Sequence, residues 1–220
     1  MPPLPAVLVE PEEVQFPRLR KRERTRRQLT AAAIAVFSAR GVADATIQEI
    51  AAAADMTPGT FYNHFDTKAG IVEAVGIWLA VTFCRRVVAS SRPRPEGAER
   101  TSIGCRRYVW LARVSPAWAL LILDVATNSP KLLAELGGYV LADLRVGLRQ
   151  KAVRVVSEAA AFDLISGTVM QAMRTAAFGL APPRHDSAVA ATILRGLGVA
   201  ADEALEISRR PLPKIPATAP

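Results

Sequence analysis

Polar and aromatic side chains crowd between residues 46 and 68 in an order that suits contact with a polyanion. Thr57, Thr60, Tyr62, Asn63 and His64 fall close together, and most of them can donate to phosphate oxygens or to base edges. Phe61 and Phe65, four apart, share one helix face and are expected to point into a core. Lys68 lies just beyond, in the first turn of the next helix, where the macrodipole disfavours a cation by ~0.3–1 kcal/mol. A lysine there is either solvated indifferently or compensated by an outside anion, such as a DNA phosphate. Helix starts at Thr46 and Thr57 add backbone N–H groups suited to phosphate. His64, near a helix C-terminus, reads equally as a structural cap, and Tyr62 as a half-buried aromatic.

Other chemistries lack their residues. Cys84 and Cys105 have no C-x-x-C spacing, and His64 and His185 are too few for a His/Cys metal cage, so no metal site and no cofactor is expected. Both cysteines read as buried small hydrophobes in a reducing cytosol. No G-x-S-x-G elbow, P-loop or H-E-x-x-H occurs, and no nucleophile–base set stands out, so an enzyme is the weaker reading. Gly196-Leu197-Gly198-Val199-Ala200-Ala201 has dinucleotide-type spacing but follows a helical pattern rather than a strand. No apolar run approaches the ~18–20 residues of a membrane span, and no secretory signal is apparent; a cytoplasmic protein is expected.

The elements that must position the polar cluster are helices. The chain has 220 residues, 50% of them hydrophobic, enough for one domain or two small ones. Leu29, Ala33, Val36 and Phe37 form one stripe of a first helix over about 20–40, which Gly41 ends. Thr46-Ile47-Gln48-Glu49 is a capping box that opens a short, alanine-rich helix. Asp55-Met56 breaks that helix. Thr57-Pro58 then starts another over 58–64, with threonine as cap and proline at the first position, where its missing N–H costs nothing. A fourth begins at Asp66-Thr67 and buries Ile71, Val75, Trp78, Leu79 and Phe83. Beyond a bend at 90–97, helices are read at about 98–113, 116–126, 130–151, 157–180, 186–199 and 201–209. No stretch alternates with period two, so no sheet is expected. Two short helices joined by a tight turn fit a helix-turn-helix, though spacing alone fits an ordinary helical hairpin as well.

The net charge of +8 is less telling than its placement. Residues 18–27, RLRKRERTRR, hold seven basic side chains against one Glu. Such a run is either a solvated tail or an arm along the DNA backbone or minor groove. As an anchor in a membrane surface it lacks an opposing apolar face. The proline-broken ends, 1–17 and 210–220, are not expected to pack.

The stretch Thr46-Ile47-Gln48-Glu49-Ile50-Ala51, then Thr57-Pro58-Gly59-Thr60-Phe61-Tyr62-Asn63-His64-Phe65, then Lys68, resembles the DNA-binding domain of the TetR (tetracycline-repressor) family over roughly residues 22–83. The resemblance implies an all-α fold: an N-terminal three-helix helix-turn-helix DNA-binding domain over 18–83, and a C-terminal helical ligand-binding and dimerisation domain over 84–209. It implies phosphate contacts from Thr46, Tyr62, His64 and Lys68, and places Gln48, Pro58, Gly59 and Thr60 along the major groove. The family's usual turn glycine is Asp55 here, one of the few other residues that tolerate positive φ.

Its implied partners are double-stranded DNA carrying a palindromic operator, a second copy of the chain, and an unidentified small-molecule effector. The helices about 157–180 and 186–199 would form the dimer, with Ala159, Ala160, Gly167, Ala172, Ala176 and Ala177 permitting close approach. Trp78, Phe83, Tyr108, Trp110, Trp118 and Phe162 are candidates to line an effector pocket, or plain core. Arg106 and Arg107 fit either an anionic effector or an exposed helix face. The function implied is a transcriptional regulator, in the family's usual mode a repressor released by its effector. The rival is a helical ligand-binding or scaffold protein without specific DNA binding.

Overall fold

The computed structural model describes residues 20–215, and among these every regular element is an α-helix. The 1–17 leader and the end of the tail lie outside the described residues. Helix α1 spans Lys21–Arg40, α2 Ile47–Ala53, α3 Pro58–Tyr62 and α4 Lys68–Ser91. They are followed by α5 Gly97–Val114, α6 Pro116–Asn128, α7 Pro130–Arg149, α8 Glu158–Ala177, α9 His185–Gly196 and α10 Ala201–Arg209.

Local chemistry accounts for most boundaries. The Thr46 hydroxyl accepts from the Glu49 N–H at 3.2 Å, and the Thr46 N–H donates to the Glu49 carboxylate at 2.9 Å, completing the capping box. Thr57 caps α3 by accepting from the Thr60 N–H at 3.2 Å, with Pro58 behind it. Thr67 caps α4 through Gly70. Proline also follows the cap at the starts of α6 and α7.

Helix α2 ends in a left-handed residue. Asp55 has φ +56°, the Asp55 N–H reaches the Ala52 carbonyl at 3.0 Å, and the Met56 N–H reaches Ala51 at 2.9 Å. That pair of bonds is the Schellman closure usually built on glycine. Gly41 closes α1 differently, with φ +86° but an extended ψ of 162°, so no left-handed cap forms there.

The same Schellman closure corrects two boundaries. Helix α8 stops at Ala177 rather than 180, because Gly179 takes φ +72° and the Leu180 N–H turns back to the Thr175 carbonyl. Helix α9 stops at Gly196 rather than 199, where Gly198 takes φ +84°. The G-x-G-x-x-A string is a helix stop.

Two apolar clusters hold the fold. The first joins Leu29, Phe37, Ile50, Phe61 and Phe65 to Ile71, Leu79 and Phe83 of α4, and onward to Trp118 and Ile122 of α6. The second is built by α5 to α10 around Leu144, Ile165, Met173, Ile193 and Leu194. Helix α4 therefore carries a continuous core from the three N-terminal helices into the rest of the chain. Where α5 starts against the end of α7, a Cβ on Gly97 would collide with the Gly147 backbone nitrogen, so only glycine fits.

The 210–215 segment corrects an expectation, because it packs. Leu212 and Ile215 lie against the first cluster, and Arg107 donates to the Pro213 carbonyl. The Arg210 guanidinium bonds Glu96, Glu99 and Glu206 at 2.7, 2.8 and 3.0 Å. A run of prolines looked loose, but carbonyl acceptors and two aliphatic side chains suffice to dock it along α5.

Candidate nucleic-acid interface

Helix α3 sits between an inner apolar face and an outer polar one. Phe61 is fully buried and Phe65 nearly so, with ring centroids 5.6 Å apart. Burying each ring contributes on the order of 1.5–3 kcal/mol, which is why so short a helix persists. With both rings inward, helical geometry turns the rest outward. Thr57, Pro58, Gly59, Tyr62 and Asn63 are exposed, and Thr60 and His64 are half-exposed. Tyr62 is 51% exposed although its ring edge still touches Phe61. Thr46 and Gln48 at the start of α2 are exposed too, and Lys68 is half-exposed.

Internal partners limit what several of these groups can do. The Thr46 hydroxyl and N–H both engage the Glu49 carboxylate, so a phosphate at Thr46 must displace or share that bond. Glu49 is in turn paired with Arg40. The Thr57 and Thr60 hydroxyls lie 3.1 Å apart and bond each other. Lys68 Nζ donates to the Ala43 carbonyl at 2.7 Å, a contact that fits neither earlier alternative alone. It fixes the lysine between the α1–α2 loop and the start of α4. The ammonium has three donors and this bond uses one, leaving two for an outside oxygen.

His64 departs from the cationic cap. Burial, reinforced by the positive charges of Arg22 and Arg26, holds its imidazole below the ordinary 6.5. The ring is thus mainly neutral at pH 7, and its Nδ1 is buried without a hydrogen-bond partner.

The basic run 18–27 is also revised over its described part. Lys21 to Arg27 are the first turns of α1, not a separate arm. Arg26 lies over the Phe65 ring, 4.0 Å from Cζ to the centroid, and donates to the His64 carbonyl at 2.7 Å. It clasps the end of α3, a role sequence reasoning missed because no local pattern joins residues 38 apart. Lys21, Arg22, Arg24 and Arg27 remain exposed on the same helix.

A second feature lies in the C-terminal bundle. A partly open cavity of about 120 Å³ is lined by α4, α5, α6, α7 and α8. Of the aromatic candidates, Tyr108 and Phe162 line it. Trp78, Phe83, Trp110 and Trp118 do not. Phe83 and Trp118 are fully buried in the first cluster, and Trp78 and Trp110 pack against it. Size alone could not separate wall from core. The wall also includes Cys84, Cys105, Tyr139, and the Arg100–Asp143 pair. Arg106 is buried, bound to Asp186 at 3.2 Å and to the Arg210 carbonyl at 2.7 Å, so it holds no effector and covers no exposed face. Arg107 lies outside the cavity wall, tied to Pro213. Among the described residues, no group of three His, Cys, Asp or Glu is placed to hold a metal ion, and no helix is long and apolar enough to cross a membrane.

A capped, tightly turned helix pair with one exposed polar face, set on a helical bundle with a cavity, defines a helix-turn-helix protein with a separate C-terminal helical unit. Residues 29–75 match the bacterial regulatory proteins of the tetR family, and residues 96–210 match the tetracyclin repressor-like C-terminal domain. The chain belongs to the tetR family. The HTH-type transcriptional regulator TcmR of Streptomyces glaucescens is 32% identical over 123 residues, 54% of each chain. SrpR of Pseudomonas putida is 45% identical over 53 residues, 24% of this chain and 25% of that one. The chain thus spans about half, or less, of the curated relatives it matches. Among solved structures, RolR in complex with resorcinol superposes with a TM-score of 0.78 at 28% identity, covering 89% of this chain and 98% of that one. A regulator from Pectobacterium atrosepticum superposes with a TM-score of 0.61 at 26% identity, over 90% and 100% of the two chains.

Proposed function

We propose that the protein is a DNA-binding transcriptional regulator of the bacterial cytoplasm, acting as a homodimeric repressor that a small-molecule effector releases from a palindromic operator. The observation that carries this reading is the outward face of α3. Thr57, Pro58, Gly59 and Thr60 start it, Tyr62 and Asn63 follow exposed, and no other part of the described chain covers them. Gln48, Pro58, Gly59 and Thr60 face the major groove in this reading. Thr46, Tyr62, His64 and Lys68 hold phosphates on either side, and these contacts fix register without carrying sequence information.

A dimer suits a palindrome, because two recognition helices one duplex turn apart, about 34–36 Å, read both half-sites. The proposed seam is the exposed side of α8 and α9. Ala159, Ala160 and Gly167 are exposed there, and Phe178 and Leu180 stand 60% and 73% exposed just past α8. Apolar side chains left bare at this scale favour a protein partner. Ala172 and Ala176 are removed from the seam, since both are buried within the chain's own core.

In this reading the effector occupies the cavity. Its wall includes Cys84, Val87 and Ser91 of α4, the helix whose first residue, Lys68, is tied to the α1–α2 loop. A ligand preferring one position of α4 would bias the N-terminal helices by its differential affinity for the two states. That RolR is described with resorcinol as its ligand supports a small-molecule effector.

The test is DNA binding by the full chain on fragments selected from the source genome. Affinity for a selected fragment should exceed that for random duplex by at least ~1,000-fold and fall steeply with salt. Equal affinity for both would favour a helical ligand-binding protein without an operator.

A further inference from the structure

Helix α5 is gripped from two sides. Arg100, Thr101, Gly104, Cys105 and Tyr108 of this helix line the cavity. Glu99, Arg106 and Arg107 hold the segment 210–215 instead. At about 3.6 residues per turn the two sets fall on opposite sides of the helix. The segment that follows α10 therefore runs along the back of the cavity's α5 wall.

Its two ends are held differently. At the root, the Arg210 guanidinium bonds Glu96, Glu99 and Glu206 at 2.7, 2.8 and 3.0 Å. Glu99 is buried, so taking Arg210 away would strip a buried carboxylate of its main partner. The Arg210 carbonyl also accepts from Arg106 at 2.7 Å, and Arg106 reaches Asp186 of α9 at 3.2 Å. The root is thus locked to α5, α9 and α10.

The far end is held lightly. Residues 211–215 have no regular structure, and Pro211 and Pro213 have no N–H to donate. Arg107 donates to the Pro213 carbonyl and stands 5.6 Å from the centre of the Trp110 ring. Leu212 and Ile215 are half-buried against the first apolar cluster, which also takes in Ile103 and Leu111 of α5. Few buried contacts and no backbone ladder make such a segment open at low free energy, well before the helices unfold.

We propose that residues 210–215 form a strap, hinged at Arg210, that holds α5 from behind and so fixes one wall of the cavity; when its far end lifts, α5 is freed and that wall loosens. The strap depends on the packing around α5 and not on what the cavity binds.

The experiment follows hydrogen exchange by mass spectrometry on the full chain, comparing the parent with the double variant Leu212→Ser, Ile215→Ser and with Arg107→Met. Amides of Gly97–Val114 should exchange at least ~10-fold faster in both variants, while those of Pro130–Arg149 keep the parent's rates. Lys214→Ala, at an exposed position of the same segment, should match the parent. The chain's two cysteines give a second readout, because Cys84 and Cys105 are buried and both line the cavity. Both should react at least ~10-fold faster with an aromatic disulfide reagent once the strap is weakened, since a buried thiol is inert until exposed. Unchanged α5 exchange in both variants would overturn the proposal. So would acceleration spread equally over all helices, which is a loss of global stability. Thiols that keep the parent's rates while α5 exchanges faster would overturn the link to the cavity wall. Should the double variant fail to fold, Arg107→Met decides alone.

Discussion

The guanidinium of Arg26 lies 4.0 Å above the ring of Phe65. The same side chain donates to the His64 carbonyl at 2.7 Å, so a residue in the second turn of α1 closes over the end of α3. Phe61 and Phe65 anchor α3 from within, and Arg26 pins it from the α1 side.

Arg26→Ala should therefore loosen α3. An exposed cation over a ring contributes roughly 0.5–1 kcal/mol, and the bond to the carbonyl adds about 1 kcal/mol. The expected loss is about 1–2 kcal/mol in urea unfolding, with DNA affinity weakened for every sequence. Arg24→Ala, which removes an exposed charge only, should leave unfolding unchanged and affect DNA alone. Equal unfolding midpoints for the two variants would argue against the clasp.

Tyr62→Ala and Lys68→Ala should weaken binding to specific and random duplex alike, and Lys68→Ala should also reduce the salt slope by about one. Thr60→Ala should instead change which base is preferred. Anisotropy titrations over a salt series separate the two behaviours. Unaltered binding by all three would mean that α3 has been misplaced. Since Lys68 also bonds the Ala43 carbonyl, its variant needs a melting curve as control.

Asp55 holds φ +56° at the turn between α2 and α3. A residue with a Cβ costs about 1 kcal/mol there relative to glycine, less for Asp than for most. Asp55→Gly should stabilise the folded chain by up to ~1 kcal/mol with α3 unmoved. A lower unfolding midpoint would show that the aspartate makes a compensating contact.

His64 supplies a pH signature. Its imidazole is held below 6.5 by burial and by Arg22 and Arg26. In the free protein the unfolded chain holds the proton more tightly, so this group lowers stability as pH falls through and below the unfolded value near 6.5. A phosphate beside the ring would counter the two arginines and raise the pKa again. The complex then takes up a proton, and DNA affinity should rise as pH drops from 7 toward about 5.5. In His64→Gln that slope should vanish. A slope that persists in the variant belongs to another group.

Much of this arrangement could be read before any coordinates. Cap-then-proline pairs at Thr57-Pro58 and Ser129-Pro130, and the box at Thr46, act within a few residues, so local sequence suffices to place them. The inward turn of Phe61 and Phe65 follows from spacing alone. What escaped depends on residues distant in the chain. Nothing near Lys68 announces Ala43, and nothing near Arg26 announces Phe65. The cavity wall draws on five helices, so choosing aromatics by size selected Trp118 and Phe83, which are core, and missed Asp143. Gly179 and Gly198 could have been recognised as helix stops but sat inside strong apolar patterns.

Hydroxyl-radical footprinting of the chain on a genomic fragment it selects tests the central claim most directly. The account predicts two protected patches about one duplex turn apart and related by two-fold symmetry, both abolished by combining Tyr62→Ala with Lys68→Ala in a protein that still folds. A footprint that survives the double substitution, or protection spread evenly along the duplex, would contradict it.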